Sequence, residues 1–211
     1  MKKVTFYFDG FNFYNGLKDK SKIDPIWKNY YWLDLVKFCN SFLSEEHSLV
    51  KVKYFTAPPR DDKKRSRQSA FFSANKLLNG DIIEIINGKY QNKDINCKIC
   101  KDSFIGQEEK RTDVNIAITM LMDCVLNNTD ILILISADSD QIPTIQTIKT
   151  EFSHKKVKVY FPPERNSSDI LNISKPIIFL GDNELKFKNS VMPTIVTDGI
   201  KKYTKPDNWK H

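Results

Sequence analysis

The run ILILI at 131–135 constrains the fold more than any other stretch of the chain. Five consecutive apolar residues without alternation do not suit a strand with one wet face, and the run is short for a buried helix. It therefore reads as a central parallel strand covered on both sides. A parallel strand needs neighbours reached through crossover connections, usually helices. VTFYF at 4–8, VKVKYFT at 50–56, DIIEIING at 81–88 and VKVYF at 157–161 read as such neighbours, and a last strand is expected at 177–180. Helical spacing falls between them. One stripe runs from Trp32 through Leu35, Val36, Cys39, Phe42 and Leu43, and a second over 61–79 is stopped by Gly80. A third runs from about Thr112 to Leu126 through Ile116, Met120 and Cys124, and another helix begins near Asp140. This alternation predicts an α/β domain whose mostly parallel central sheet carries helices on both sides.

The residues directly after the apolar run bear on function. SADSD at 136–140 places Asp138 and Asp140 two residues apart at the carboxyl end of the central strand, where open parallel sheets collect ligands. Asp9 ends the first strand, and Asp113 stands ahead of the core stripe of the Thr112 helix. Each residue taken singly has an ordinary explanation. Asp9-Gly10 is a common turn pair, and Asp113 and Asp140 suit helix N-termini. Taken together, four carboxylates from three segments converge on one edge of one sheet, and such a cluster does not stay ionised without a cation. All-oxygen ligands in a chain with only three histidines suit Mg²⁺ or Mn²⁺, which points to phosphodiester hydrolysis. Asn12, three residues past Asp9, is placed to hold a water or phosphate oxygen, or simply to cap a helix.

The formal net charge of +7 favours polyanionic partners. Its densest local source is RDDKKRSRQ at 60–68, which sets Arg60, Lys63, Lys64, Arg65 and Arg67 at the same sheet edge as the carboxylates. There they would grip phosphates without reading sequence, or else form a solvated helix face. No stretch approaches the ~20 apolar residues of a membrane helix. Asp9 interrupts the N-terminal apolar run too early for a signal peptide, so a cytoplasmic protein is expected.

FYFDGFNFYNGLK at 6–18, KYFTAPP at 53–59, EEKRTDVNIA at 108–117 and ILISADSDQIP at 133–143, in this order, resemble the NYN domain family of LabA-like, PIN-like nucleases. The resemblance implies a three-layer Rossmann-like domain over 1–180, with a cysteine-containing insertion at about 88–108 and a C-terminal extension at 181–211. It also implies an acidic site of Asp9, Asp113, Asp138 and Asp140, with Asn12 as a polar companion. Ala137 stands where the family usually has glycine. The expected activity is metal-dependent hydrolysis of RNA. The alternatives are a catalytically inactive RNA-binding or regulatory module and, more remotely, a phosphatase, although no Gly-rich phosphate loop is present. Cys97 and Cys100 have the spacing of half a zinc site with no second half nearby, so an unliganded thiol pair is expected ahead of zinc. Cys39 and Cys124 read as core. The polar insertion is compatible with a homodimer.

Overall fold

The computed structural model describes residues 1–96 and 103–209. Strand β1 (Lys2–Asp9) leads into α1 (Gly10–Ile23), and α2 (Leu35–Asn40) precedes β2 (His47–Thr56). Helix α3 (Asp62–Asn79) comes next, then β3 (Ile83–Asn87) and the antiparallel pair β4 (Lys89–Asn96) and β5 (Ser103–Lys110). Beyond the pair lie α4 (Thr112–Val125), β6 (Ile131–Ile135), α5 (Ile142–Glu151), β7 (Lys156–Phe161), α6 (Ser168–Ile173) and β8 (Ile178–Phe179). Helix α7 (Glu184–Asn189) and the hairpin β9 (Ile195–Thr197) and β10 (Lys202–Thr204) close the chain.

Six strands form one parallel sheet in the order β3-β2-β1-β6-β7-β8. The apolar run at its centre serves two cores. Ile131, Ile133 and Ile135 pack with Phe6 and Phe8 against α1, α2 and α3, while Leu132 and Leu134 pack with Tyr7 against α4, α5 and α6. That division is why the sequence shows no alternation: each face of the strand meets its own helical layer. The result is the expected three-layer α/β architecture.

Local chemistry fixes the boundaries. Gly80 takes φ +54° and ends α3, as read from the sequence. The helix expected from Trp32 to Leu43 is shorter. Asp34 accepts the N–H groups of Val36 and Lys37, so α2 starts only at Leu35, and Phe42 and Leu43 pack on the core from the turn beyond it. The segment expected at 88–108 corresponds to the antiparallel pair β4–β5, which extends to Lys110, and Cys97 and Cys100 lie outside the described residues. Past residue 181 the chain returns to the first core, to which it adds Phe187, Met192, Val196 and Trp209. Among the described residues no helix is long and apolar enough to cross a membrane.

Candidate metal centre

Strand order reverses direction between β1 and β6: β1 continues towards β2, and β6 continues towards β7. The crevice at the carboxyl ends of these two strands is where ligands bind in such sheets. Asp9 sits there, buried, and caps α1. Its Oδ1 accepts the Asn12 N–H at 3.0 Å, and its Oδ2 accepts the Ser136 hydroxyl at 2.8 Å. The reason for the glycine after it is not a turn. A Cβ on Gly10 would lie 2.3 Å from Tyr54 Cε1 and 2.4 Å from the Phe55 carbonyl, so only glycine lets α1 begin beside β2.

The loop after β6 is organised by the same hydroxyl. Ser136 Oγ also accepts the Asp138 N–H at 3.0 Å, and Asp138 Oδ1 accepts the Asp140 N–H at 3.0 Å. From across the crevice Asn12 Oδ1 accepts the Ala137 N–H at 3.2 Å. Asp113 arrives from the opposite layer in the first turn of α4, after Arg111 turns the chain through a left-handed φ of +77°. Its Oδ1 accepts Gln141 Nε2 at 3.3 Å, while Gln141 Oε1 is buried with no partner among the described residues.

Carboxylate oxygens of Asp9, Asp113 and Asp138 thereby come within 4.8 Å of one another. Asp140, the fourth residue expected, stays exposed at the rim and is not part of this group, because its backbone rather than its carboxylate turns to Asp138. Among the described residues no lysine or arginine pairs with the three. Burial raises the Asp9 pKa to about 6 against the hydrogen bonds that oppose it, and Asp113 and Asp138 push it the same way. The Asp113 carboxyl is raised too, by burial first and then by Asp138. Three hard oxygen donors without a compensating cation fit an oxygen-seeking divalent ion that keeps part of its water shell.

Of the basic residues, Arg60, Lys64 and Arg67 line a cavity that also takes in Gly10 and Phe11, next to Asp9. Arg65 is folded back: its guanidinium donates to the carbonyls of Pro59 and Arg60 and pairs with Asp62. Lys63 is exposed. Cys39 and Cys124 are buried thiols, as expected. Sequence reasoning assigned no role to Ser136 or Gln141. For Ser136 there was a signal, a hydroxyl directly after five apolar residues. Gln141 carries none, since a single buried glutamine at a helix start obeys no period.

The NYN domain model matches residues 3–180. The chain belongs to the NYN domain family. NYN domains are part of the PIN-like nuclease superfamily, so the six-stranded parallel sheet and the aspartate crevice stand in a nuclease-type family. This NYN chain is also 25% identical over 190 residues to 6-hydroxy-3-succinoylpyridine 3-monooxygenase HspA of Pseudomonas putida (strain DSM 28022 / S16). The match covers 74% of this chain and 58% of that protein, so the chain spans little more than half the length of this relative. A crystal structure of a protein of unknown function, VPA0982 from Vibrio parahaemolyticus RIMD 2210633, has the same fold. It superposes with a TM-score of 0.54 at 19% identity and covers 84% of this chain and 91% of that one.

Proposed function

We propose that this NYN protein hydrolyses RNA phosphodiester bonds with a Mg²⁺ or Mn²⁺ ion held by Asp9, Asp113 and Asp138. The observation that carries the reading is the meeting of three carboxylates from three chain segments within 4.8 Å at the switch point of the sheet, with no lysine or arginine paired to them among the described residues. When bound, such an ion makes a water nucleophilic near neutral pH and offsets charge on the phosphoryl group. The chain's own residues do the positioning. Ser136 and the Asn12 N–H fix the Asp9 carboxylate, Gln141 orients Asp113, and Asn12 holds the β6 loop against α1. Asp140, outside the group and exposed to solvent, would take a proton from an attacking water. Arg60, Lys64 and Arg67, which line the cavity next to Asp9, would supply positive potential on the approach to the crevice. Membership of a nuclease-type family supports the same reading.

The test is cleavage of a labelled single-stranded RNA in Mn²⁺. Wild type should release fragments that EDTA suppresses, and Asp138→Asn should release none while its melting temperature in EDTA is no lower than that of wild type. Equal cleavage by the variant would overturn the assignment. RNA that wild type retains without cutting would support a non-catalytic binding module instead.

One observation favours a second reading. The Pseudomonas relative bears the name of an oxygenase acting on a substituted pyridine, and the cavity beside Asp9 is lined with aromatic rings. Oxygen uptake on addition of that pyridine together with a two-electron donor such as NADH, without RNA cleavage, would support it.

A further inference from the structure

The cavity of about 300 Å³ next to the carboxylates has a composition that the metal site leaves unexplained. It lies between α1, the start of α3, the end of β2 and the returning C-terminal segment. Flat rings from all of these elements line it, among them Tyr14, Tyr31, Tyr54, Phe72 and Trp209. Most of these rings are braced by one another: Tyr31 sits 5.5 Å from Tyr14 and 5.8 Å from Trp209, and Phe72 sits 5.2 Å from Tyr54. Tyr14, 40% exposed, presents part of its surface to solvent although core packing would have hidden it. The same lining carries an amide. Gln68 Nε2 donates to Thr56 Oγ1 at 3.0 Å, and Gln68 Oε1 has no partner among the described hydrogen bonds.

The charge around these rings is mostly positive. A shallow groove shares Tyr14, Lys18, Tyr31, Arg67 and Trp209 with the cavity and runs on past Lys22 and Lys28. Among the described residues the two hollows present Lys18, Lys28, Arg60, Lys64 and Arg67, with Lys22 paired to Asp19 at 2.6 Å, against one lining carboxylate, Asp61, which is engaged in capping the Lys64 N–H. Aromatic faces inside a cationic track are what unpaired nucleic acid requires: bases stack on rings, and phosphates track the charges. A base within a duplex is already stacked on its neighbours and cannot enter. The cavity lining takes in Gly10 and Phe11 just after β1 and Thr56 and Ala57 at the end of β2, and neighbouring strands lie ~4.8 Å apart. A nucleotide seated in the cavity would place an adjoining phosphate towards the carboxylates.

Resting on the nuclease reading, we propose that this cavity takes one unpaired nucleobase of the substrate chain, stacked on Tyr14 and its neighbouring rings, while Arg67 and Lys18 hold the attached phosphate.

Calorimetry in EDTA tests the pocket without catalysis. Adenosine 5′-monophosphate should bind roughly tenfold or more tightly than ribose 5-phosphate, the difference being the stacked base. Tyr14→Ala should abolish that preference, and Arg67→Gln should weaken both ligands; melting temperatures confirm that each variant is folded. Equal binding of the two ligands by wild type, or an undiminished preference in Tyr14→Ala, would overturn the proposal. Hexaadenylate should bind more tightly than the mononucleotide, whereas equal affinity would make the cavity a free-nucleotide site and overturn its role in chain recognition. Base preference without RNA cleavage would defeat the nuclease reading alone, and cleavage without base preference would defeat this inference alone.

Discussion

Asn12 Oδ1 accepts the backbone N–H of Ala137 at 3.2 Å, and this bond spans the crevice between the ends of β1 and β6. It joins the first turn of α1 to the loop that carries Asp138, so the spacing between two carboxylates depends on an amide that is not one of them. The sequence suggested that Asn12 would hold water or phosphate, or cap a helix; the structure gives its side chain a protein partner.

Asn12→Ala should therefore act on geometry. Loss of this bond should lower stability by about 1 kcal/mol and weaken Mn²⁺ binding several-fold, because the β6 loop is freed. Urea unfolding in EDTA and a calorimetric Mn²⁺ titration measure the two effects. An unchanged Mn²⁺ affinity would show that the loop is held without Asn12.

Asp113→Asn should change sign with the metal. In EDTA the variant loses a like charge beside Asp9 and Asp138, keeps an oxygen for Gln141, and should melt at a slightly higher temperature than wild type. In millimolar Mn²⁺ the order should reverse, because wild type gains binding energy that the variant has lost. Variant and wild type melting in the same order under both conditions would argue against Asp113 as a ligand.

The parts of this molecule that were legible in its sequence are those in which a single segment carries the whole signal. Six strands and the ends of α3 and α4 are set by apolar runs and by Gly80, because burial on a sheet or a helix face imposes a local period. The carboxylates were legible because parallel sheets present strand ends on one edge, so residues after VTFYF and ILILI share a neighbourhood wherever they lie in the chain. The cavity was not. Tyr14, Tyr54, Phe72 and Trp209 come from four elements, and nothing local in the sequence says that Trp209 folds back beside Tyr31. Nor was the exclusion of Asp140 from the group, which turns on whether its backbone or its side chain faces Asp138.

Metal-free protein should lose stability as pH rises through the titration of Asp9. The folded pKa of about 6 lies above the ordinary 3.8, so the folded state binds this proton more tightly. The corresponding stability is fully present below pH 3.8 and lost as pH passes about 6. At 1.36 kcal/mol per pH unit the difference is about 3 kcal/mol. Asp9→Asn removes the effect, so its stability relative to wild type in EDTA should increase by that order between about pH 4 and about pH 8, read from urea midpoints. A constant difference would mean that Asp9 is solvated as in the unfolded chain.

Stability and chemistry should separate along α4. Ten residues after Asp113, or roughly 15 Å along the helix, Asp123 is buried beneath the sheet. It accepts Lys53 Nζ at 2.7 Å, the Tyr7 hydroxyl at 2.6 Å and Asn128 Nδ2 at 3.0 Å. Tyr7 and Lys53 are register partners on β1 and β2, so the network ties the two strands to the helix. Lys53→Met would leave the Asp123 charge buried without its cation and should cost about 3–5 kcal/mol, a large share of the stability of a domain this size. Lys53→Met with Asp123→Leu removes both charges and should recover part of that loss, the remainder being the Tyr7 hydroxyl left buried without its acceptor. Urea unfolding gives both values, and Mn²⁺-dependent cleavage measured well below the melting temperature should be the same in both variants as in wild type. A loss of cleavage in the folded double variant would place the ion pair in the service of the carboxylates at the other end of the helix.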